Sequence, residues 1–342
     1  MTPLVSFAER RVIIMQNSNR LVYVDYLKVI GLLLIILAHV NAPDWLMQLR
    51  SFDVPLMVFV SAYLAKRSFN NIDIKGYYKK RILRLAVPAW IFLIVFYSAI
   101  MVAYESPSIV DVIKAFFFQR DAYMVGMLWV IWVYLVCAFI IPLINRLGYS
   151  KRSVVIVFTV YAIFELMCIF SNFTSNRLVY CTIMTVIPWG TVAFIGFNYD
   201  KFTRQHKLLL ISVFAGIFCI IAIWMAVTNG CFVQTNEYKY PARIYYLSFA
   251  MPIIIVLFDG LKKMKIKGNK IVTFISGSSL WIYLWHILLL YVIKNIITND
   301  SLWLLQYCGI IICASTVTLI QNIVVKRLMK RFGWEFLKIF LG

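Results

Sequence analysis

Apolar residues run along this chain in long, nearly unbroken blocks, without the two-residue alternation of a half-buried strand. Ten blocks occupy about 21–41, 51–65, 84–104, 124–145, 153–171, 178–198, 207–228, 243–260, 275–295 and 302–325. A helix needs roughly 20 residues, at about 1.5 Å of rise each, to cross a hydrocarbon layer about 30 Å thick. Backbone in lipid must satisfy its own hydrogen bonds, and blocks this long lack the pattern of barrel strands, so each block is read as a helix. The pattern predicts an all-α integral membrane protein of about ten transmembrane helices, with no evident internal repeat.

Composition sharpens this reading. Of 342 residues, 63% are hydrophobic and 14% charged, against roughly 45–50% and about 25% for a soluble domain. A soluble globule is excluded, and ten spans leave no room for a separate soluble catalytic domain. The formal charge is +20, from 34 Lys plus Arg against 14 Asp plus Glu. With a cytoplasmic N-terminus, alternate loops and the two tails hold 26 of these cations on the inside and seven on the outside, and Lys28 lies within the first span. That asymmetry predicts an N-in, C-in orientation. It also accounts for the charge without nucleic acid, for which no finger, RNP or basic-zipper pattern is present. Of the seven cysteines, Cys137, Cys168, Cys181, Cys219, Cys308 and Cys313 fall in or at the ends of apolar spans, where cysteine behaves as a small hydrophobe. The three histidines, at 39, 206 and 286, have no metal-ligand spacing, so no metal site is expected. Three segments follow: a cytoplasmic tail over 1–20, too weakly apolar for a signal sequence; a membrane domain over 21–325; and a basic amphipathic tail over 326–342, expected along the inner membrane surface. Residues 108–118 are expected to lie similarly on the outer surface.

Ionisable groups inside a bilayer cost about 2.5 kcal/mol or more and need a pairing, structural or functional reason. The first span carries Asp25, Lys28 and His39. Asp25 and Lys28 are three residues apart and can meet on one helix face; Lys28 can also snorkel to the interface, and His39 can be satisfied by a neighbouring helix. Eleven residues of helix place His39 roughly 16 Å further out than Lys28. Asp53 and Trp129 begin spans on the outer side and Glu165 lies in the outer half of another. These residues, with His39, are expected to line an outward-facing cavity, while Arg81 and Arg84 lie at the cytoplasmic end. His286 is mid-span beside Tyr283, Trp281 and Trp285, where a packed, hydrogen-bonded histidine competes with a channel role. Pro188 and Pro252 are expected to kink their spans.

Five segments carry a recognisable order. RLVYVDYLKVIGLLLIILAHV (20–40) holds a basic residue, ten intervening residues and a histidine, Lys28 to His39; RSFDVPLMVFVSAYL (50–64) follows; YYKKRILRLAVPAW (77–90) places Arg81 and Arg84 before Pro88; then come MLWVIWVYLVCAF (127–139) and SGSSLWIYLWHILLLYVI (276–293). Together they resemble the integral-membrane acyltransferase family three, which includes the O-antigen and capsule O-acetyltransferases. Two positions depart from its pattern: Asp53 stands where many members carry His, and Ala62 replaces the usual Gly.

The resemblance implies a multi-pass enzyme of the bacterial inner (plasma) membrane. It would move an acyl group, acetyl foremost, from acyl-CoA to a hydroxyl of a surface polysaccharide or its lipid-linked precursor. Arg81 and Arg84 are then expected to bind the CoA phosphates with Lys28 as a point charge, although ordinary topology determination is an alternative use of both arginines. The pantetheine arm would span the distance to His39, the general base, with Asp53 the first choice and Glu165 the second for its acidic partner. Trp129, His286 and Tyr283 are expected to contact substrate, and no cofactor is held permanently. Expected partners are acyl-CoA, the glycan acceptor and the bilayer, with homodimerisation left open. The competing reading is a polysaccharide export or flippase-like carrier without acyl transfer, against which stands the lack of an inverted repeat or of matching broken helices.

Overall fold

Where the sequence places ten apolar blocks, the computed structural model has ten helices of 16 or more residues; it describes residues 20–69, 73–103, 107–170 and 182–341. In chain order the described α-helices are α1 Val22–Leu37, α2 Asp44–Leu49, α3 Asp53–Phe69, α4 Ile74–Ala103, α5 Ile109–Phe116, α6 Trp129–Leu147, α7 Lys151–Phe170, α8 Ile183–Asn198, α9 Arg204–Asn229, α10 Ile244–Lys263, α11 Lys270–Gly277, α12 Ser279–Ile296 and α13 Trp303–Phe332. No strand occurs among the described residues. The chain is an all-α, multi-pass membrane protein.

Seven of the ten long helices, α4, α6, α7, α9, α10, α12 and α13, are long and apolar enough by themselves to cross a membrane. The other three, α1, α3 and α8, have 16, 17 and 16 residues, about 24–26 Å at helical rise. They are the centre of the bundle: α3 packs on α8, α1 and α6, and α1 also meets α10, α11, α12 and α13. A helix faced by other helices rather than by lipid can carry polar groups and be shorter, and α1 carries Asp25 and Lys28 while α3 begins with Asp53. The contact of α3 with α8 is close enough to require glycine. A Cβ on Gly196 would stand 2.4 Å from the Phe59 carbonyl oxygen, so the missing side chain is what lets the two backbones meet.

Local chemistry sets several ends. The Thr203 side chain accepts from the His206 N–H to start α9, and Gly230, at φ 72°, stops it. Ser108 caps α5, whose Ile109, Val110 and Ile113 are exposed, in keeping with a surface-lying helix. Pro188 and Pro252 lie inside α8 and α10.

Three boundaries differ from the sequence reading. The first span ends at Leu37, so His39 sits on the turn that follows rather than on the helix. The third begins at Ile74, ten residues before the apolar block, because the Lys- and Arg-rich segment extends the same helix beyond its apolar part. The last helix runs on to Phe332, and the end of the basic tail turns back. A single 3-10 segment, Glu335–Phe340, packs against the bundle, with the Phe340 ring stacked on Trp281 at 5.5 Å between centroids. The Trp281 indole N–H donates to the Ile339 carbonyl at 3.0 Å, and the Gln321 amide to that of Phe340 at 2.7 Å.

Candidate active site

A cavity of about 360 Å³ opens between α1, α3, α4, α6 and the start of α12, within the usual size of ligand pockets. At one end stand four cations, Lys28 from α1 and Lys80, Arg81 and Arg84 from α4. The lining then follows α1 outward through Leu32 to Ile35, about 10 Å along the helix. It meets Met57 on α3, Val130 and Tyr134 near the start of α6, and Tyr283 on α12. His39 lies one turn beyond Ile35.

The inner end is built around Ser276. The Lys28 ammonium donates to its carbonyl oxygen at 2.8 Å, while its hydroxyl donates to Asp25 at 2.6 Å. Asp25 is also held by Arg20, at 2.5 Å and 3.2 Å. The pairing of Asp25 with Lys28 expected from their spacing is therefore replaced. Arg20 and Ser276 occupy the carboxylate, and the Lys28 ammonium faces the cavity. Among the described residues, none of Lys28, Lys80, Arg81 and Arg84 forms an ion pair with a carboxylate.

The outer end is organised differently. Asp53, buried at the start of α3, accepts from Arg50 at 2.5 Å and from the Val54 N–H at 2.7 Å, and pairs with Lys239 at 3.5 Å. Trp129 belongs to the same cluster, with the Lys239 ammonium 5.5 Å from its ring centroid and Tyr240 edge-on at 4.9 Å. Burial, with Arg50 adding to it and Asp53 opposing, lowers the Lys239 pKa to about 8. Glu165 accepts from Arg243 at 2.8 Å and from the Ile244 N–H at 2.6 Å, at the start of α10. Both carboxylates considered as partners for His39 are thus engaged with cations and backbone N–H groups, and no hydrogen bond joins either to His39. Arg50 stands three residues before Asp53 on the turn between α2 and α3, and the loop over 235–241 brings in Lys239; these supply the partners that depth along a helix did not reveal. Arg50 and Lys239 themselves read in sequence as ordinary outer-loop cations. The only hint of more was the Arg-x-x-Asp spacing across the start of α3.

His39 has a different neighbour. Its half-buried ring faces that of His286, with centroids 5.5 Å apart and planes at 34°. His286 is fully buried; its Nδ1 is bonded to the Tyr283 carbonyl oxygen, and its Nε2 has no partner. The Tyr283 and Tyr291 hydroxyls donate to the carbonyls of Met127 and Met124, each at 2.6 Å, fastening α12 to the entry of α6. Of the nine candidate residues, Lys28, Arg81, Arg84 and Tyr283 line one cavity. His39 and His286 form a pair just outside it, Asp53 and Trp129 share the outer cluster, and Glu165 is set apart at the start of α10.

With this geometry in place, comparison with known families gives one match, to the acyltransferase family three model, described as an acyltransferase domain, over residues 21–321. Neither the curated proteins nor the solved structures yield a match.

Proposed function

The chain belongs to acyltransferase family three and is a membrane acyltransferase, and from that premise we propose that it moves an acetyl group from acetyl-CoA to a hydroxyl of a bacterial surface polysaccharide or its lipid-linked precursor, in the inner membrane. One observation carries the choice of donor. The cavity is lined at one end by Lys28, Lys80, Arg81 and Arg84, which form no ion pair with a described carboxylate, and its largely apolar wall runs along α1 to Ile35, one turn short of His39. A planar guanidinium binds phosphate oxygens through two parallel N–H donors, and Lys28 adds a point charge. The thin pantetheine arm fits the apolar passage and carries the thioester to the turn that bears His39.

There a neutral His39 ring nitrogen accepts the proton of the acceptor hydroxyl as its oxygen attacks the thioester carbonyl carbon. Collapse of the tetrahedral intermediate breaks the carbon–sulfur bond. The imidazolium returns its proton to the leaving thiolate, so that ester and free CoA thiol are formed and His39 is neutral again. His39 touches the reacting atoms, Lys28, Arg81 and Arg84 hold the donor, and Trp129 and the loop over 229–243 flank the acceptor side.

The test is transfer of labelled acetyl from acetyl-CoA to the host's lipid-linked glycan in membranes containing the wild type, His39→Ala or Lys28→Ala at matched expression. Label is expected with the wild type and is expected to vanish with His39→Ala. A wild type that leaves a confirmed acceptor unlabelled, with a second acyl-CoA tried, would return the carrier reading, and glycan translocation would then be measured.

A further inference from the structure

We infer that His286 is the positioning partner of His39, taking the place that a carboxylate holds in a hydrolase triad; the inference rests on the acyltransfer reading given above. A carbonyl oxygen only accepts hydrogen bonds, so the contact of His286 Nδ1 with the Tyr283 carbonyl puts the proton of the neutral ring on Nδ1. Nε2 is left as a lone-pair acceptor. That atom is buried and unpartnered, an arrangement that is costly unless something donates to it. The His39 ring is the neighbouring side chain, 5.5 Å away between centroids with the planes at 34°, and a small rotation of it would aim an N–H at that atom. Both carboxylates near this end are engaged elsewhere, so His286 is the acceptor available to His39.

The consequence is directional. A His39 N–H donated to His286 Nε2 fixes the His39 tautomer and turns its other nitrogen, with a lone pair, away from His286. Of the two residues, His39 is the partly exposed one and His286 the fully buried one, which assigns the base to His39 and the support to His286. When His39 takes the hydroxyl proton, the hydrogen bond to Nε2 spreads the new charge. No proton leaves the pair, and the proton taken is the one later returned to the CoA thiolate. The chain of contacts runs on from His286 through Tyr283, whose hydroxyl is tied to the Met127 carbonyl at the entry of α6 and whose side chain lines the donor cavity. The ring that supports the base is therefore anchored to the wall along which the thioester arrives.

The experiment compares full-length wild type, His286→Leu and His286→Gln by two readouts. One is kcat and KM for acetyl transfer. The other is carbethoxylation of His39 by diethyl pyrocarbonate, followed by mass spectrometry relative to the distant His206, which reacts through a free lone pair and needs no transfer activity. His286→Leu is expected to lower kcat on the order of 100-fold, with the acetyl-CoA KM changed by less than about two-fold, and to slow His39 modification relative to His206. His286→Gln, which restores an acceptor, is expected to recover about ten-fold of the lost kcat and most of the modification rate. His39 modified at the wild-type rate in His286→Leu, or Gln performing no better than Leu, overturns the assignment. If Leu does not fold, His286→Met serves as the apolar variant. A wild type that transfers no acyl group refutes the proposed function alone, because the modification rates still decide the pair.

Discussion

The two ends of the site use positive charge in opposite ways. At the inner end, Lys28, Lys80, Arg81 and Arg84 surround an open cavity and form no ion pair with a described carboxylate. At the outer end, Arg50 and Lys239 are closed around Asp53, and Arg243 around Glu165. Charge held away from water is costly unless it is compensated. The outer cations are compensated by the protein, so they hold the chain together. The inner cations have no such compensation from a described carboxylate, and the proposed phosphate-bearing donor would supply it. Counting lysines and arginines at the two ends does not convey this; the placement of the carboxylates does.

Removing the shared carboxylate breaks the comparison most directly. Asp53→Ala leaves Arg50 and Lys239, 2% and 5% exposed, buried without a counter-charge. Breaking a buried pair in this way costs about 3–5 kcal/mol, to be read as a lowered thermal midpoint of the detergent-solubilised protein. Arg84→Ala breaks no ion pair and is expected to leave the midpoint at or above that of the wild type. Equal losses from the two variants would erase the distinction between the ends.

The helical bundle was legible because lipid imposes one demand on every span, and a demand that general writes itself along the whole sequence. Helix ends were less so: the turn that takes His39 off α1 and the continuation of α4 down to Ile74 depend on packing against neighbours. The cationic end was legible for the same reason as the spans, since Lys28, Arg81 and Arg84 stand at fixed depths on single helices. Pairings between distant segments were not. Nothing local to Asp53 announces Lys239, and nothing local to His39 announces His286, because each pair is made only when separate helices pack. Asp25 shows the limit even within one helix, where its i+3 spacing to Lys28 lost to Arg20 and to Ser276 from α11.

The next largest effect falls on the inner end and on donor binding. Arg81→Lys with Arg84→Lys keeps both charges and loses both planar forks. If the guanidinium groups hold phosphate, the acetyl-CoA KM is expected to rise about ten-fold or more, the loss of a charge-assisted hydrogen bond being about 1.5–3 kcal/mol, while the thermal midpoint stays where it was. An unchanged KM would reduce these arginines to topology determinants, and the two ends would then differ only in stability.

The smallest effect sharpens the outer end. The Lys239 pKa, lowered to about 8 by burial first and by Arg50, lies below that of a lysine in an unfolded chain, about 10.4. Between those values the unfolded state binds more protons than the folded one, so this group's contribution to stability rises with pH across that window; below about pH 8 the folded state bears the full cost of holding the ammonium. Lys239→Met removes the titration while leaving the Arg50–Asp53 pair. The wild type is therefore expected to gain on Lys239→Met as pH rises from about 8, by at most about 1.4 kcal/mol for each pH unit, measured from the difference in thermal midpoints. A difference flat in pH would mean that Lys239 is solvated rather than enclosed. The outer cluster would then be no more closed to water than the inner cavity, and the contrast between the two ends would rest on Asp53 and Arg50 alone.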